Sequence, residues 1–407
     1  MECVYPPTQR FIHLTLTIPG RNIQDMRHTV GIAAGTTLRR GITAALFVLL
    51  SFSHMASQLS LAGDSNFTVL EVADLEKPWA MAFLPDGRLL VTEKSGNLLL
   101  IGGDGDVQNV RGVPEVAYGG QGGLGDVVLH PDFASNQLVY LSFAEAGKNG
   151  YGAAVARARL ALNDTEAYLE PLEVIWRQQP KVKGRGHYGH RIAFGPDGYL
   201  WISSGDRQKF DPAQDMQSNM GKILRLRDDG GIPADNPFAS QGGVTAQIWS
   251  LGHRNPLGLA FDNSGHLWVA EMGPAGGDEL NLVERGANYG YPVVSNGDHY
   301  NGRDIPDHDQ RPDLKAPAIS WTPVISPASL MFYSGSEFPD WQGSALIAGL
   351  SSRGLVRVVF NAEEAVEVER IPLAARIRDV KQGLDGSIWV LEDDRNDSRG
   401  RLLRLTQ

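Results

Sequence analysis

Three stretches of this sequence gather side chains that can take a proton or hold negative charge. In the first, Gly184-Arg-Gly-His-Tyr-Gly-His-Arg191, two histidines stand among glycines. Glycine lets a backbone approach a ligand closely and imidazole accepts a proton near neutral pH, so His187 or His190 is a candidate general base. Either also reads as a hydrogen-bonded structural histidine. Just downstream, Ser203-Ser-Gly-Asp-Arg207 puts Asp206 where a carboxylate can orient such a histidine and stabilise its protonated form; alone, Asp206 is a turn residue. In the second stretch, Leu251-Gly-His-Arg-Asn-Pro-Leu-Gly258, Arg254 brings a fixed cation suited to a developing oxyanion and Asn255 neutral hydrogen bonds. Arg254 also reads as a tie between neighbouring elements. The third, Glu271-Met-Gly-Pro-Ala-Gly-Gly-Asp-Glu279, sets main-chain carbonyls beside Asp278 and Glu279. These are hard oxygen donors of the kind calcium prefers, without the spacing of an EF-hand; an ordinary turn with a solvated acidic end is the other reading. Separately, Arg376-Ile-Arg378 sends two guanidinium groups from one face of a strand. That suits a multiply anionic ligand, or surface ion pairing.

These stretches flank a repeated unit, in which an apolar strand meets a Pro/Asp/Gly turn and returns as an alternating strand. Six copies run Trp79 to Val91, Leu124 to Tyr140, Ile192 to Ile202, Gly258 to Val269, Leu330 to Ile347 and Val380 to Val390. The second has His130-Pro-Asp-Phe in place of the short turn, and the fifth is the most degenerate. One such hairpin buries a single face and must stack on neighbours. Copies roughly 45 to 75 residues apart have room for four strands each plus loops, the size of a propeller blade. The sequence therefore predicts an all-β fold, a six-bladed β-propeller of four-stranded antiparallel blades; a sandwich or barrel calls for no six similar units. Asp206 to Gln241 and Ser295 to Ala318 read as stretches between strands, and no helical period emerges.

Composition bounds the partners. The formal charge of −10 over 407 residues argues against nucleic acid, which needs clustered Lys and Arg, and fits a small neutral ligand. Cys3 is the single cysteine and lies in the extreme N-terminal segment, so the fold carries no disulfide, thiolate zinc site or cysteine nucleophile, and any metal is bound by oxygen or imidazole. Residues 1–62 read as a targeting segment: Arg39 and Arg40 precede the apolar run Ile42 to Phe52, then small residues around Ala56 and Ala62. Residues 63–407 are the expected propeller. The expectation is a periplasmic or secreted protein, with a single-pass anchor as the lesser alternative. Residues before about Met26 fit neither signal nor fold, pointing to a start placed too far upstream.

From about Phe67 to the C-terminus the chain resembles the soluble pyrroloquinoline quinone (PQQ)-dependent glucose and aldose sugar dehydrogenases, the glucose/sorbosone dehydrogenase family. The resemblance rests on Pro78-Trp-Ala-Met-Ala-Phe83, Gly122-Gly-Leu-Gly125 with His130-Pro-Asp-Phe133, Gly252-His-Arg-Asn-Pro256, Gly273-Pro274, Asp278-Glu279, Asn288-Tyr-Gly-Tyr-Pro292 and Arg376-Ile-Arg-Asp-Val380, in this order on this repeat. It implies oxidation of an aldose at C1 with PQQ and calcium, and an external acceptor that reoxidises the cofactor. His187 resembles the base, Asp206 its carboxylate partner and Arg254 the residue set against the quinone oxygen. Gln121, Asn255, Arg376 and Arg378 match cofactor contacts. The carbonyls of Gly273 and Pro274 resemble calcium ligands, and Glu279 with the region of Tyr289 a second, structural calcium site. Two positions depart from the family: Gly186 replaces an acid and Ser352 a cofactor-contacting lysine, which favours the broader aldose branch over narrow glucose specificity. Trp321 offers an aromatic face for a sugar, but the sequence around it aligns ambiguously and it stays outside the site. A calcium-dependent lactonase or esterase and a noncatalytic carbohydrate-binding propeller are the competing readings. A monomer or homodimer is expected.

Overall fold

The computed structural model describes residues 67–407 except 104, 164, 362 and 363; the predicted targeting segment 1–62, with Cys3, lies outside the described residues. The turns explain the repeat. In Leu84-Pro-Asp-Gly-Arg88, the Leu84 N–H donates to the Arg88 carbonyl at 2.7 Å and the Gly87 N–H to the Leu84 carbonyl at 2.9 Å. The same two bonds recur in 195–199, 262–266 and 383–387. Each glycine sits at φ between 77° and 89°, where a side chain is strained. Asp86, Asp197 and Asp385 lock three of these turns by accepting the amide two residues on.

Every predicted hairpin forms the first two strands of a four-stranded antiparallel meander, and these meanders are the blades, numbered 1 to 6. Their inner strands are Pro78–Phe83, Leu124–Leu129, Gly189–Phe194, Pro256–Phe261, Pro327–Phe332 and Ile377–Gln382. Blades 1 and 2 join into one eight-stranded sheet through a short parallel pairing of Val110 with Ala167 and Arg111 with Tyr168. Successive inner strands touch, and the inner strand of blade 6 returns to that of blade 1. Blade 6 completes itself with the strand Thr68–Asp74, paired antiparallel to Arg401–Thr406. The first and last strands among the described residues thus close the ring in one sheet. An apolar cluster fills each gap between consecutive blades, and Met81, Leu89 and Val91 against Trp389 and Leu391 seal the last.

Each inner strand also slips register near its start, between 78 and 80, 124 and 127, 189 and 192, 256 and 258, 327 and 329, and 377 and 379. A bulge bends a strand and re-aims its side chains. Trp79, His190, Leu257 and Arg378 occupy these slips, and all four line the central cavity described below.

The loop expectations need correction. Asp206 to Gln241 contains the third strand of blade 3, Lys222–Leu226. It is buried along its whole length, so it shows none of the alternation that marks a half-exposed strand. Within Ser295 to Ala318, Gly297–Asp298 pairs with Ala275–Gly276, and the His130 turn holds the one-turn helix Phe133–Asn136.

Candidate active site

A cavity of about 780 Å³ lies at the bulged strand starts. Among the described residues Lys77, Lys94, Arg185, Arg376, Arg378 and Arg395 line it against the carboxylates Asp393 and Asp394. A cationic well in a chain of formal charge −10 is built for an anionic ligand.

The loop 184–188 leads into blade 3 beside this well. His187 adopts φ of 45°, outside the usual range for a residue with a side chain. Its neighbours fix it there: the His187 N–H donates to Gln121 Oε1 at 2.7 Å. Arg207, fully buried, donates to the Gly186, Tyr151 and Gly184 carbonyls at 2.8, 2.6 and 2.7 Å, with its guanidinium 3.7 Å over the Tyr188 ring. Imidazole Nδ1 lies 2.7 Å from Asp206 Oδ1. A carboxylate only accepts, so the neutral imidazole carries its proton on Nδ1 and keeps its lone pair on Nε2. Burial lowers the His187 pKa, Asp206 opposes this and Arg254 adds to it, with a net fall below the ordinary histidine value. His187 is therefore neutral, and basic at Nε2, at neutral pH. Asp206 is itself held by the amides of Gln208 at 2.9 Å and Phe210 at 3.3 Å.

His190 has a different setting. It stacks on Trp79 at 4.9 Å, its Nδ1 meets the Ser142 hydroxyl at 2.9 Å, and burial pushes its pKa to about 3.

Arg254 joins the pair through its backbone, its carbonyl accepting the Asp206 N–H at 2.8 Å. Its guanidinium donates to the Met272 carbonyl at 3.0 Å, leaving the buried Nε without a partner. Next to it, Asn255 lines the cavity and its buried Oδ1 is also unpartnered. Buried polar atoms are rarely left so, and a polar ligand in the cavity, whose wall includes Asn255 but not Arg254, would answer Asn255 Oδ1. Arg376 and Arg378 reach the same carboxylate, Asp393, at 3.0 and 2.9 Å. Burial raises the Asp393 pKa, but the two arginines outweigh it and hold the carboxyl below its usual value.

Of the positions matched to metal ligands, Gly273 and Pro274 are buried, directly after the cavity residue Met272. Asp278 does not face outward as a donor: it accepts the Gly273 and Ser326 amides at 2.9 and 2.6 Å and so shapes the loop. Burial lifts its pKa to about 6. Glu279 lies elsewhere, in a buried network in which the Asn281 amide donates to both Glu279 and Glu271, while Glu271 meets His253 Nδ1 at 2.8 Å. Burial, and then Glu271, raise the Glu279 pKa well above normal. Tyr289 stacks on His253 at 4.7 Å, and its carbonyl accepts from His308 Nε2 at 3.1 Å. Among the described residues no group of three or more His, Cys, Asp or Glu is placed to hold a metal. A cation at the 273–274 loop would therefore rest on main-chain oxygens and on its ligand.

Ser352 is half-buried, its Oγ has no hydrogen-bond partner among the described residues, and it is no part of the cavity wall. At Gly186 a Cβ would come 2.4 Å from the carboxamide of Gln208, so an acid there would have to displace a side chain of the wall. Trp321 is a core residue between blades 4 and 5, its indole donating to Glu367 at 2.6 Å, and not a sugar platform. Reading the residues alone passed over Lys94, Asp393 and Arg207. Of these only Arg207 stood in a segment marked for chemistry.

Together these features define a β-propeller with an imidazole–carboxylate pair and a cation-lined cavity at one end of its ring. Comparison with known proteins narrows the class. Residues 75–404 match the Glucose / Sorbosone dehydrogenase family. Aldose sugar dehydrogenase YliI of Escherichia coli (strain K12) is 39% identical over 340 residues, which cover 82% of this chain and 90% of that protein. The crystal structure of the soluble aldose sugar dehydrogenase from Escherichia coli in its apo form is 37% identical with a TM-score of 0.77, over 84% of this chain and 99% of that one. The PQQ-bound aldose sugar dehydrogenase from Streptomyces coelicolor is 28% identical with a TM-score of 0.68, over 85% and 99%. The chain belongs to the glucose/sorbosone dehydrogenase family and is an oxidoreductase.

Proposed function

We propose that this protein oxidises aldose sugars at C1 to the lactone, using PQQ and calcium. The observation that carries the reading is the His187–Asp206 bond of 2.7 Å beside a cationic cavity whose wall holds the buried Asn255 Oδ1 and Tyr188 hydroxyl, both without a hydrogen-bond partner among the described residues. A relative with PQQ bound and one named for aldose sugars support it.

Bound PQQ would supply the hydride acceptor, and calcium would make it more electrophilic. Gln121, Arg254, Asn255, Arg376 and Arg378 would hold the cofactor, the Gly273 and Pro274 carbonyls its calcium, and Glu279 with the main chain near Tyr289 a structural calcium. The chain's own part is proton transfer and charge. His187 Nε2 takes the proton of the C1 hydroxyl, Asp206 stabilises the imidazolium, and Arg254 presents fixed positive charge where negative charge develops. The substrate is a small aldose and the final electrons leave to an external acceptor. Export to the periplasm or beyond belongs to the same proposal, supported by the sequence of residues 39–62.

A calcium lactonase would gather side-chain carboxylates at its metal, whereas the candidate loop here offers carbonyls and its cavity offers cations. The deciding test is dye-linked oxidation of an aldose panel by the purified full chain, with PQQ and calcium added singly and together. Activity should require both and vanish on chelation. Folded protein that neither binds PQQ nor turns over any aldose would overturn the proposal, and lactone hydrolysis would be assayed next.

A further inference from the structure

Lys94 stands apart from the other cations of the cavity wall. Arg376 and Arg378 share Asp393. Arg185 donates to the Tyr118 carbonyl and, at 2.8 Å, to the Tyr151 hydroxyl, with its guanidinium 4.2 Å from the Tyr151 ring centre. Lys77 and Arg395 are exposed to solvent. Lys94 is half-buried, and its ammonium makes a single hydrogen bond, to the Gly120 carbonyl at 3.1 Å. Among the described residues no carboxylate forms an ion pair with it.

The backbone holds the residue in that position. The Lys94 N–H donates to the Lys77 carbonyl at 3.1 Å, and the Lys94 carbonyl accepts from Leu124 at 3.1 Å. A Cβ on Gly123 would stand 2.0 Å from the Lys94 carbonyl oxygen, so blade 2 closes tightly on this corner of blade 1. The side chain leaves a fixed point into the cavity. An ammonium partly removed from water without a counter-ion is costly. Burial first, and then the charge of Arg378, push its pKa down to about 8.

We propose that Lys94 is a binding residue for an anionic group of the cofactor, supplying charge from blade 1 beside the arginine pair of the adjacent blade 6. The inference rests on the PQQ reading above. Ser352, from blade 5, adds no charge to the wall.

Equilibrium binding tests it. Full-length apo protein is titrated with PQQ in calcium buffer, following the quenching of intrinsic tryptophan fluorescence. Lys94→Met should weaken binding by about tenfold or more and Lys94→Arg by much less, since a charged hydrogen bond is lost in the first and kept in the second. The pH profile separates charge from mere structure. The groups facing Lys94 are Lys77, His190, Arg378, Asp393 and Arg395. His190 is neutral with a pKa of about 3, Asp393 is held ionised, Lys77 is raised above its ordinary value, and guanidinium groups keep their charge. From about pH 7 to about pH 9.5 Lys94 is then the group of this set that loses its proton. Wild-type affinity should fall across that range while Lys94→Arg stays flatter. Wild-type protein that fails to bind PQQ overturns the functional reading itself. Binding by wild type with equal affinity in Lys94→Met overturns the role of Lys94 alone. If Lys94→Met does not fold, as judged by its thermal midpoint, the profile of Lys94→Arg decides: a slope equal to wild type rejects the inference.

Discussion

His187 and Asp206 act as one unit, and the sign of each contribution can be tested. Burial depresses the imidazole and Asp206 pushes back, so the acid limb of kcat/KM should lie below the ordinary histidine range. Asp206→Asn removes the opposing charge. Its limb should move further toward acid while the plateau falls, because the imidazolium formed during turnover loses its stabiliser. An unmoved limb would assign the titration to another group. His187→Gln should lose about 10² to 10⁴ in kcat, the usual worth of a positioned base, with PQQ affinity near that of wild type. Stopped-flow reduction and a PQQ titration read the two separately. These residues were legible because they stand among glycines at strand ends, where a backbone has a reason to be unusual. Lys94 and Asp393 were not. They sit in Thr92-Glu-Lys-Ser and Glu392-Asp-Asp, which look like any charged turn until the ring closes and turns both inward.

The elements were legible wherever a turn punctuates an alternating strand, which is why all six hairpins could be located from the sequence. The bulges were hidden. Pro78-Trp-Ala-Met-Ala-Phe83 is apolar at every position, so a slip of one residue leaves no mark on the pattern, yet that slip turns Trp79 toward the cavity. The loop 184–188 poses the same problem, since its conformation is imposed by Arg207 from beyond the next two strands. Arg207→Met would leave the Gly184, Gly186 and Tyr151 carbonyls without their charged donor. The expected cost is about 3 kcal/mol in stability, given the worth of hydrogen bonds to a charged group, together with a lower kcat as His187 loses its fixed orientation. Hydrogen exchange in residues 184–190 should quicken selectively. Exchange there equal to wild type, with kcat intact, would show that the loop holds its shape without the clamp.

At the scale of the molecule, the ring is closed twice, at its rim by the sheet of blade 6 and at its axis by Arg191. This buried guanidinium, from blade 3, meets a group from every other blade. It lies 4.0 Å over Trp79 of blade 1 and 3.2 Å from Asp126 of blade 2. It donates to the Leu257 carbonyl of blade 4 at 2.8 Å and the Ala328 carbonyl of blade 5 at 2.7 Å, and pairs with Asp379 of blade 6 at 3.4 Å. Asp379 in turn accepts the Met81 amide of blade 1 at 2.9 Å. Replacing the arginine by methionine keeps some bulk but strands two buried carboxylates, a loss of about 3 to 5 kcal/mol. The loss should depend on pH, and its sign follows from Asp126. Burial already raises that carboxyl, with Arg191 opposing, so the folded state holds its proton more tightly than the unfolded chain. Such a group favours folding at low pH, and the benefit is lost as pH rises through its folded pKa. Without Arg191 the folded value climbs higher, so Arg191→Met should cost clearly more stability near about pH 8 than near about pH 5. Adding Asp126→Asn to Arg191→Met should recover part of the deficit at the higher pH and little at the lower. Urea unfolding of wild type, the single variant and the double variant at both pH values measures this directly. An equal deficit at the two values would mean that Arg191 holds the ring by packing and carbonyl contacts rather than by answering the buried charge.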